Sequence, residues 1–255
     1  MDNSSENGSI KRSQWFRKLR VWKYFCEYFP IRLHKSTDLD PNRTYVMGYH
    51  PHGFVSLGAF GNFATEGTDF EKKFPGITNS LLTLNGNFRV PLYKEYLQAC
   101  GLSSVSRRSC EALLWYLGVF RTNWRRNGPG SAITIVIGGA EESLHARPGV
   151  LELVLRKRHG FIRLAIESGS LLVPILSFGE NGTSANNMRL KVDLYDQAVK
   201  GPDSKMHKFQ EAVKKLTGFT TPVVWARGVF NYDFGLMPWR HEINTVGRLH
   251  AVCLF

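Results

Sequence analysis

Short apolar runs of strand length alternate with segments of helical period along most of this chain. The strand candidates are Tyr45–Tyr49, Leu81–Leu84, Ala132–Ile137, Leu171–Phe178, Leu190–Leu194 and Val223–Ala226. Between them lie helical patterns at Glu95–Ala99, Ser109–Leu117, Gly160–Ser168 and Lys205–Leu216. Strands interleaved with helices predict an α/β fold: a sandwich with a central, mostly parallel sheet flanked by helices. Upstream, SQWFRKLRVWKYFCEYF (Ser13–Phe29) carries Trp15, Leu19, Trp22, Phe25 or Cys26, and Phe29 on one helical stripe. Arg17, Lys18, Arg20 and Lys23 lie largely off that stripe, and Pro30 ends the helix. This basic, aromatic helix suits either a lipid surface or the protein's own core. The expected organisation is a disordered stretch over 1–12, the helix over 13–30 and one domain over 31–255.

Charge and cysteine content narrow the partners. The 255 residues carry a net charge of +12, which implies contact with something anionic. Cys26, Cys100, Cys110 and Cys253 are scattered without a CxxC pair, so neither a zinc site nor a disulfide framework is indicated. The polar start MDNSSENGSIKRSQ lacks the apolar core of a signal peptide. No apolar run approaches the about 18 residues of a transmembrane helix, so any membrane contact is expected to be peripheral.

In open α/β sheets, function collects beyond the carboxyl ends of strands. Three predicted strand ends carry reactive residue types. Tyr45–Tyr49 runs into His50, Pro51, His52 and Gly53. Ala132–Ile137 runs into Gly138, Gly139, Ala140, Glu141 and Glu142, and Leu171–Phe178 runs into Gly179, Glu180 and Asn181. The His-Pro-His pair fits three roles. It is half of a metal site, a general base with a helper, or a packed structural pair. A metal needs further ligands, and the remaining histidines form neither HExxH nor a second His-x-His. For a base, Gly53 allows close approach of a substrate, and Pro51 restricts the relation of the two rings. There is no G-x-S-x-G elbow and no phosphate-binding glycine loop. A base without a protein nucleophile acts on a hydroxyl of the substrate.

These residues also carry a resemblance. YHPHG followed by GAFGNFATE, KFPGI, GNFRVPLYKEY, GGAEESL, RPG, RKRHGFIRLA and LVPILSFGEN resembles the diacylglycerol acyltransferase type 2 family, from about Arg12 to Thr245. That family includes the monoacylglycerol and wax-alcohol acyltransferases. RSQWFRKLRVWKYFCEYFPI leans toward the diacylglycerol branch, whereas GAFGNF and ESLHARPG also suit the monoacylglycerol branch. The resemblance implies a fold like that of the glycerolipid acyltransferases. It implies transfer of a fatty acyl group from acyl-CoA to a diacylglycerol, monoacylglycerol or fatty-alcohol hydroxyl. It places the protein at the cytosolic face of the endoplasmic reticulum membrane and at lipid droplets.

Carried onto this sequence, the resemblance makes His52 and His50 catalytic, with Pro51 and Gly53 as motif support. It puts the family's glutamate on Glu142, behind Gly138 and Gly139. His52 is the expected base, Glu142 the carboxylate that orients its ring, and His50 a shaper of the site. Arg156, Arg158, Gly160 and Phe161 are expected near the CoA phosphates, because cations beside a helix N-terminus attract anions. Asn87, Phe88, Arg89, Pro91 and Glu180 are expected substrate contacts. No cofactor, metal or nucleic acid is expected, and a homo-oligomer is compatible with the sequence. The family's N-terminal hydrophobic hairpin and C-terminal helical end are expected to have no counterpart here, and Trp115–Trp124 reads as an insertion. The rival classes are a His-x-His metal hydrolase, decided by elemental analysis, and a basic binding module without catalysis, decided by salt-sensitive nucleic-acid affinity.

Overall fold

The computed structural model of this chain describes residues 11–53, 56–115, 130–139, 142, 153–180 and 240–247. Seven strands among them form one sheet: β1 (Ile31–Lys35), β2 (Tyr45–His50), β3 (Thr78–Thr83), β4 (Ser103–Ser104), β5 (Ser131–Val136), β6 (Leu171–Phe178) and β7 (Ile243–Gly247). Their order is β1-β7-β6-β2-β5-β3-β4. Neighbours are parallel except for β6 and β7, which are antiparallel. The α/β expectation holds, with β1 and β7 forming a reversed edge.

Strand β2 is buried along its whole length, as a central parallel strand is. Its side chains alternate between two cores. Tyr45, Met47 and Tyr49 join Phe63, Phe70, Phe74, Phe88 and Trp22 on one face. Val46 joins Leu82, Ile133, Cys110, Leu113, Leu114 and Leu164 on the other. The latter cover comes from α6 (Arg107–Trp115) and α7 (Gly160–Ser168). The predicted bounds of β6 and α7 are reproduced, whereas β3 starts three residues before the apolar run that announced it.

The predicted helix over 13–29 is two helices. α1 spans Gln14–Arg17 and α2 spans Arg20–Tyr28, with Leu19 extended between them. The cause is Arg17. Its guanidinium is buried and donates to the carbonyls of Ala64 (2.7 Å) and Phe63 and to the Glu66 carboxylate (2.9 Å). Trp22 and Cys26 are buried as well. On one continuous helix, positions 17 and 22 would point about 140° apart. The break turns both inward. Lys18, Arg20 and Lys23 stay out of the core, and so do Trp15, Val21 and Tyr24.

The expected strands Leu190–Leu194 and Val223–Ala226, the helix Lys205–Leu216, residues 1–10 and the segment after Trp115 lie outside the described residues. Among the described residues, no helix is long and apolar enough to cross a membrane.

Candidate active site

The three reactive strand ends become neighbours. β2 lies between β5 and β6 and is parallel to both, so their carboxyl ends share one edge of the sheet. β3 is parallel to β5 and ends at that edge too. His50 is the last residue of β2, and the chain then turns through Pro51, His52 and Gly53. α3 (Leu57–Ala59) follows and continues into a wider helical turn at Phe60–Ala64.

His50 is buried and His52 is half-buried, so His52 is the more accessible ring. The Nδ1 of His52 lies 3.1 Å from the Gly53 carbonyl oxygen. A carbonyl only accepts, so this contact places the ring hydrogen on Nδ1 and leaves Nε2 with its lone pair. The Ser56 hydroxyl donates to the His52 carbonyl at 2.8 Å and lies 3.4 Å from the same Nδ1. Burial pushes the His52 imidazole below its ordinary value. The Gly53 carbonyl and the Glu142 carboxylate act in the opposite sense without cancelling that effect. His52 is therefore neutral near pH 7, the state a base requires.

Glu142 is where the structure corrects the sequence reading. Its carboxylate does not reach the far side of the His52 ring. Oε1 lies 3.7 Å from Nδ1 of His50, an electrostatic contact longer than a hydrogen bond. Oε2 accepts the main-chain N–H of His52 at 2.8 Å, and Oε1 accepts from Val154 at 3.3 Å. Glu142 thus orients His50 and pins the backbone of His52, while the Gly53 carbonyl sets the His52 tautomer. The reason is local: His50 is the last residue of β2, whereas His52 lies in the turn that follows it. Burial raises the Glu142 carboxyl, but the His50 ring and the two N–H donors outweigh it and hold the group below its ordinary value. Gly138 is obligatory here, because a Cβ on it would overlap the Glu142 carboxylate. Glu141 lies outside the described residues.

Glu180 lies on the other side of β2, at the end of β6. It was expected to contact substrate, and it is 1% exposed. Its Oε2 accepts the Tyr49 hydroxyl at 2.9 Å, and both oxygens lie 3.2 Å from the N–H of Gly58. Burial pushes its carboxyl up to about 7 despite these donors. Its Cγ occupies the space a Cβ on Gly53 would need, and Gly53 also has φ +59°, so that position tolerates only glycine.

Phe88 is buried in the core. Asn87 donates to the Thr83 hydroxyl at 2.8 Å, while Arg89 and Pro91 are exposed beyond the end of β3. Phe161 packs on the core beneath α7. Arg156, Lys157, Arg158 and His159 are exposed just before α7, and no side chain caps that helix. Arg158 is brought to the end of β5, where a Cβ on Gly139 would lie 4.0 Å from its guanidinium. Among the described residues, no group of three histidine, cysteine or carboxylate side chains could hold a metal ion. The sequence reading missed Tyr49 and Ser56. The one available signal was a tyrosine closing an apolar strand immediately before the histidine pair.

Fold and site together define an α/β protein with a His-Pro-His-Gly turn and a carboxylate at the carboxyl edge of its central strand. The diacylglycerol acyltransferase family model matches residues 1–250. The chain is 48% identical over 245 residues to diacylglycerol O-acyltransferase 1 of Schizosaccharomyces pombe, covering 96% of this chain and 65% of that protein. It is 50% identical over 254 residues to diacylglycerol O-acyltransferase 2B of Umbelopsis ramanniana, covering 99% of this chain and 66% of the relative. Human 2-acylglycerol O-acyltransferase 1 is 41% identical over 236 residues, covering 92% and 64%. No solved structure gives a significant match. The chain belongs to the diacylglycerol acyltransferase family, and it spans just under two thirds of the length of these relatives.

Proposed function

We propose that this chain transfers a fatty acyl group from acyl-CoA to the hydroxyl of diacylglycerol, forming triacylglycerol, with His52 as general base. The carrying observation is the His52 ring itself: half-buried, with Nδ1 on the Gly53 carbonyl and Nε2 left to accept a proton. Nε2 takes the acceptor's hydroxyl proton as the oxygen attacks the thioester carbonyl. The tetrahedral intermediate collapses, the C–S bond breaks, and the imidazolium returns the proton to the departing thiolate. A thioester is already activated, so no covalent enzyme intermediate and no cofactor is needed. Glu142, facing His50, holds the backbone of the turn that carries the base, and the Gly53 carbonyl takes the place that a triad gives its carboxylate at Nδ1.

Arg156 and Arg158, ahead of the α7 N-terminus, are the phosphate contacts for CoA. Asn87, Arg89 and Pro91 are left as acceptor or acyl contacts at the β3 end. The site works at the cytosolic face of the endoplasmic reticulum membrane and on lipid droplets. Trp15, Val21 and Tyr24, with Arg20 and Lys23, are the outward residues of the first two helices that meet the lipid surface. Monoacylglycerol is the second acceptor reading, supported by the 2-acylglycerol relatives. Membranes expressing the chain, given labelled oleoyl-CoA with diacylglycerol, monoacylglycerol or a fatty alcohol, test both. Label appearing in triacylglycerol is the expected result. Label only in diacylglycerol moves the acceptor assignment, and no labelled ester with any acceptor sinks the proposal.

A further inference from the structure

Glu180 has no place in the acyl-transfer chemistry just described, yet it is one of the most deeply buried carboxylates in the described residues. A buried acid is costly unless its oxygens are well occupied. Here they are occupied by groups that lead to His52. From β2 comes the Tyr49 hydroxyl at 2.9 Å. From α3 comes the Gly58 N–H, 3.2 Å from both oxygens. From β6 comes the Ser177 hydroxyl at 3.5 Å, itself 2.9 Å from Thr245 on β7.

Two of these contacts converge on the base. Gly58 lies two residues after Ser56, whose hydroxyl donates to the His52 carbonyl and approaches Nδ1. The Glu180 Cγ fills the space behind Gly53, whose carbonyl receives the Nδ1 hydrogen. Both neighbours of His52 Nδ1 thus sit on segments that Glu180 holds. Ser56 itself has φ +55°, a strained value for serine that the surrounding structure must maintain.

Resting on the acyl-transfer reading, we propose that Glu180 is a positioning residue, which fixes the rotamer and tautomer of His52 by clamping Gly53 and the Ser56–Gly58 segment from behind. It does not touch substrate. Tyr49 faces Glu180, pushed well above its ordinary value mainly by burial, and Glu142 and His50 face His52 from the β5 side.

The test compares Glu180→Ala, Glu180→Gln and Ser56→Ala with the unaltered chain, by turnover and by NMR titration of the labelled His52 ring. Gln keeps an oxygen for the Gly58 N–H and an amide for the Tyr49 hydroxyl, so it should retain turnover within about tenfold. Ala should lower kcat by about 100-fold with the acyl-CoA KM unchanged. It should also bring the His52 titration back up toward the ordinary imidazole value. Ser56→Ala, at a half-buried site, should move the same titration in the same direction by a smaller amount. A merely structural role would lower the active fraction and leave both the titration and the KM-to-kcat split unmoved, and that result overturns the proposal. Wild-type turnover in Glu180→Ala overturns it too. If the unaltered chain esterifies no acceptor, the acyl-transfer reading has failed. The His52 titration still decides the clamp, because an unshifted ring in Glu180→Ala rejects it.

Discussion

Glu142 and Glu180 bracket the same turn from opposite sides of β2, and they hold their protons differently. Glu142 stands on the side of His50, with two N–H donors and an imidazole facing it, and it is held below the ordinary carboxylate value. Glu180 stands on the side of Tyr49 and accepts from the Tyr49 hydroxyl and the Gly58 N–H, and burial outweighs these donors and lifts it to about 7. Both are nearly inaccessible to solvent. Depth alone therefore does not decide the charge of a buried acid; the donors that face its oxygens count as well. The active turn is held by one anionic brace and by one whose proton is in play at neutral pH.

The largest effect falls on His52, the residue the two braces hold. His52→Ala should lower acyl transfer by about 100- to 10,000-fold without unfolding the chain, because the acceptor hydroxyl loses its base. His50→Ala should cost less. A larger loss at His50, measured by kcat under the same conditions, would hand the base role to the His50–Glu142 pair.

Stability against pH separates the two carboxylates by sign. Glu180 has a folded value near 7 against an ordinary 4.5, so between those values the folded chain keeps a proton that the unfolded chain has lost. Its contribution therefore falls as pH rises from 4.5 to about 7, by at most about 3 kcal/mol. Glu142 works in reverse. Its depressed carboxyl stabilises above 4.5, and that contribution is lost on acidification below it. Melting curves across this range should flatten in Glu180→Gln and should lose part of the acid-side fall in Glu142→Gln. A wild-type-like slope in Glu180→Gln would show that the buried carboxyl is not the titrating group.

Glu142→Gln should also reduce turnover on the order of tenfold to a hundredfold, with acyl-CoA affinity unchanged, since the His50 ring and the His52 N–H lose the carboxylate that faces them. An increase in the acyl-CoA KM instead would move Glu142 from the base to the cosubstrate. The smallest effect belongs to the exposed cations ahead of α7. Arg156→Gln and Arg158→Gln should each raise the acyl-CoA KM by about twofold to fivefold, more at low salt, and leave kcat alone. No change in KM at low salt would remove the phosphates from that helix end.

Much of this site was legible in the chain. Apolar runs and helical periods announced an α/β sheet, and His50, His52, Glu142 and Glu180 stood immediately beyond three of those runs. Those signals are local: a strand's pattern and the residues after it are contiguous in sequence. The short strands Ile31–Lys35, Ser103–Ser104 and Ile243–Gly247 were not visible, because they are stabilised by strand neighbours rather than by their own composition. The split of the first helix was hidden for a similar reason. It is imposed by carbonyls of Phe63 and Ala64, far along the chain, that bind Arg17.

By itself, the sequence determined that this protein is an α/β fold with an acid–base turn and a strongly cationic surface, since those depend on periodicity and residue type. Only the tertiary structure decided which carboxylate meets which histidine. Sequence order names Glu142 and His52 as partners equally well as Glu142 and His50. The register of three parallel strands puts the carboxylate against His50, and it puts Glu180 behind the glycine that shapes the base. Distances of a few ångströms between residues 90 or more positions apart are set by packing, and packing is a property of the folded chain.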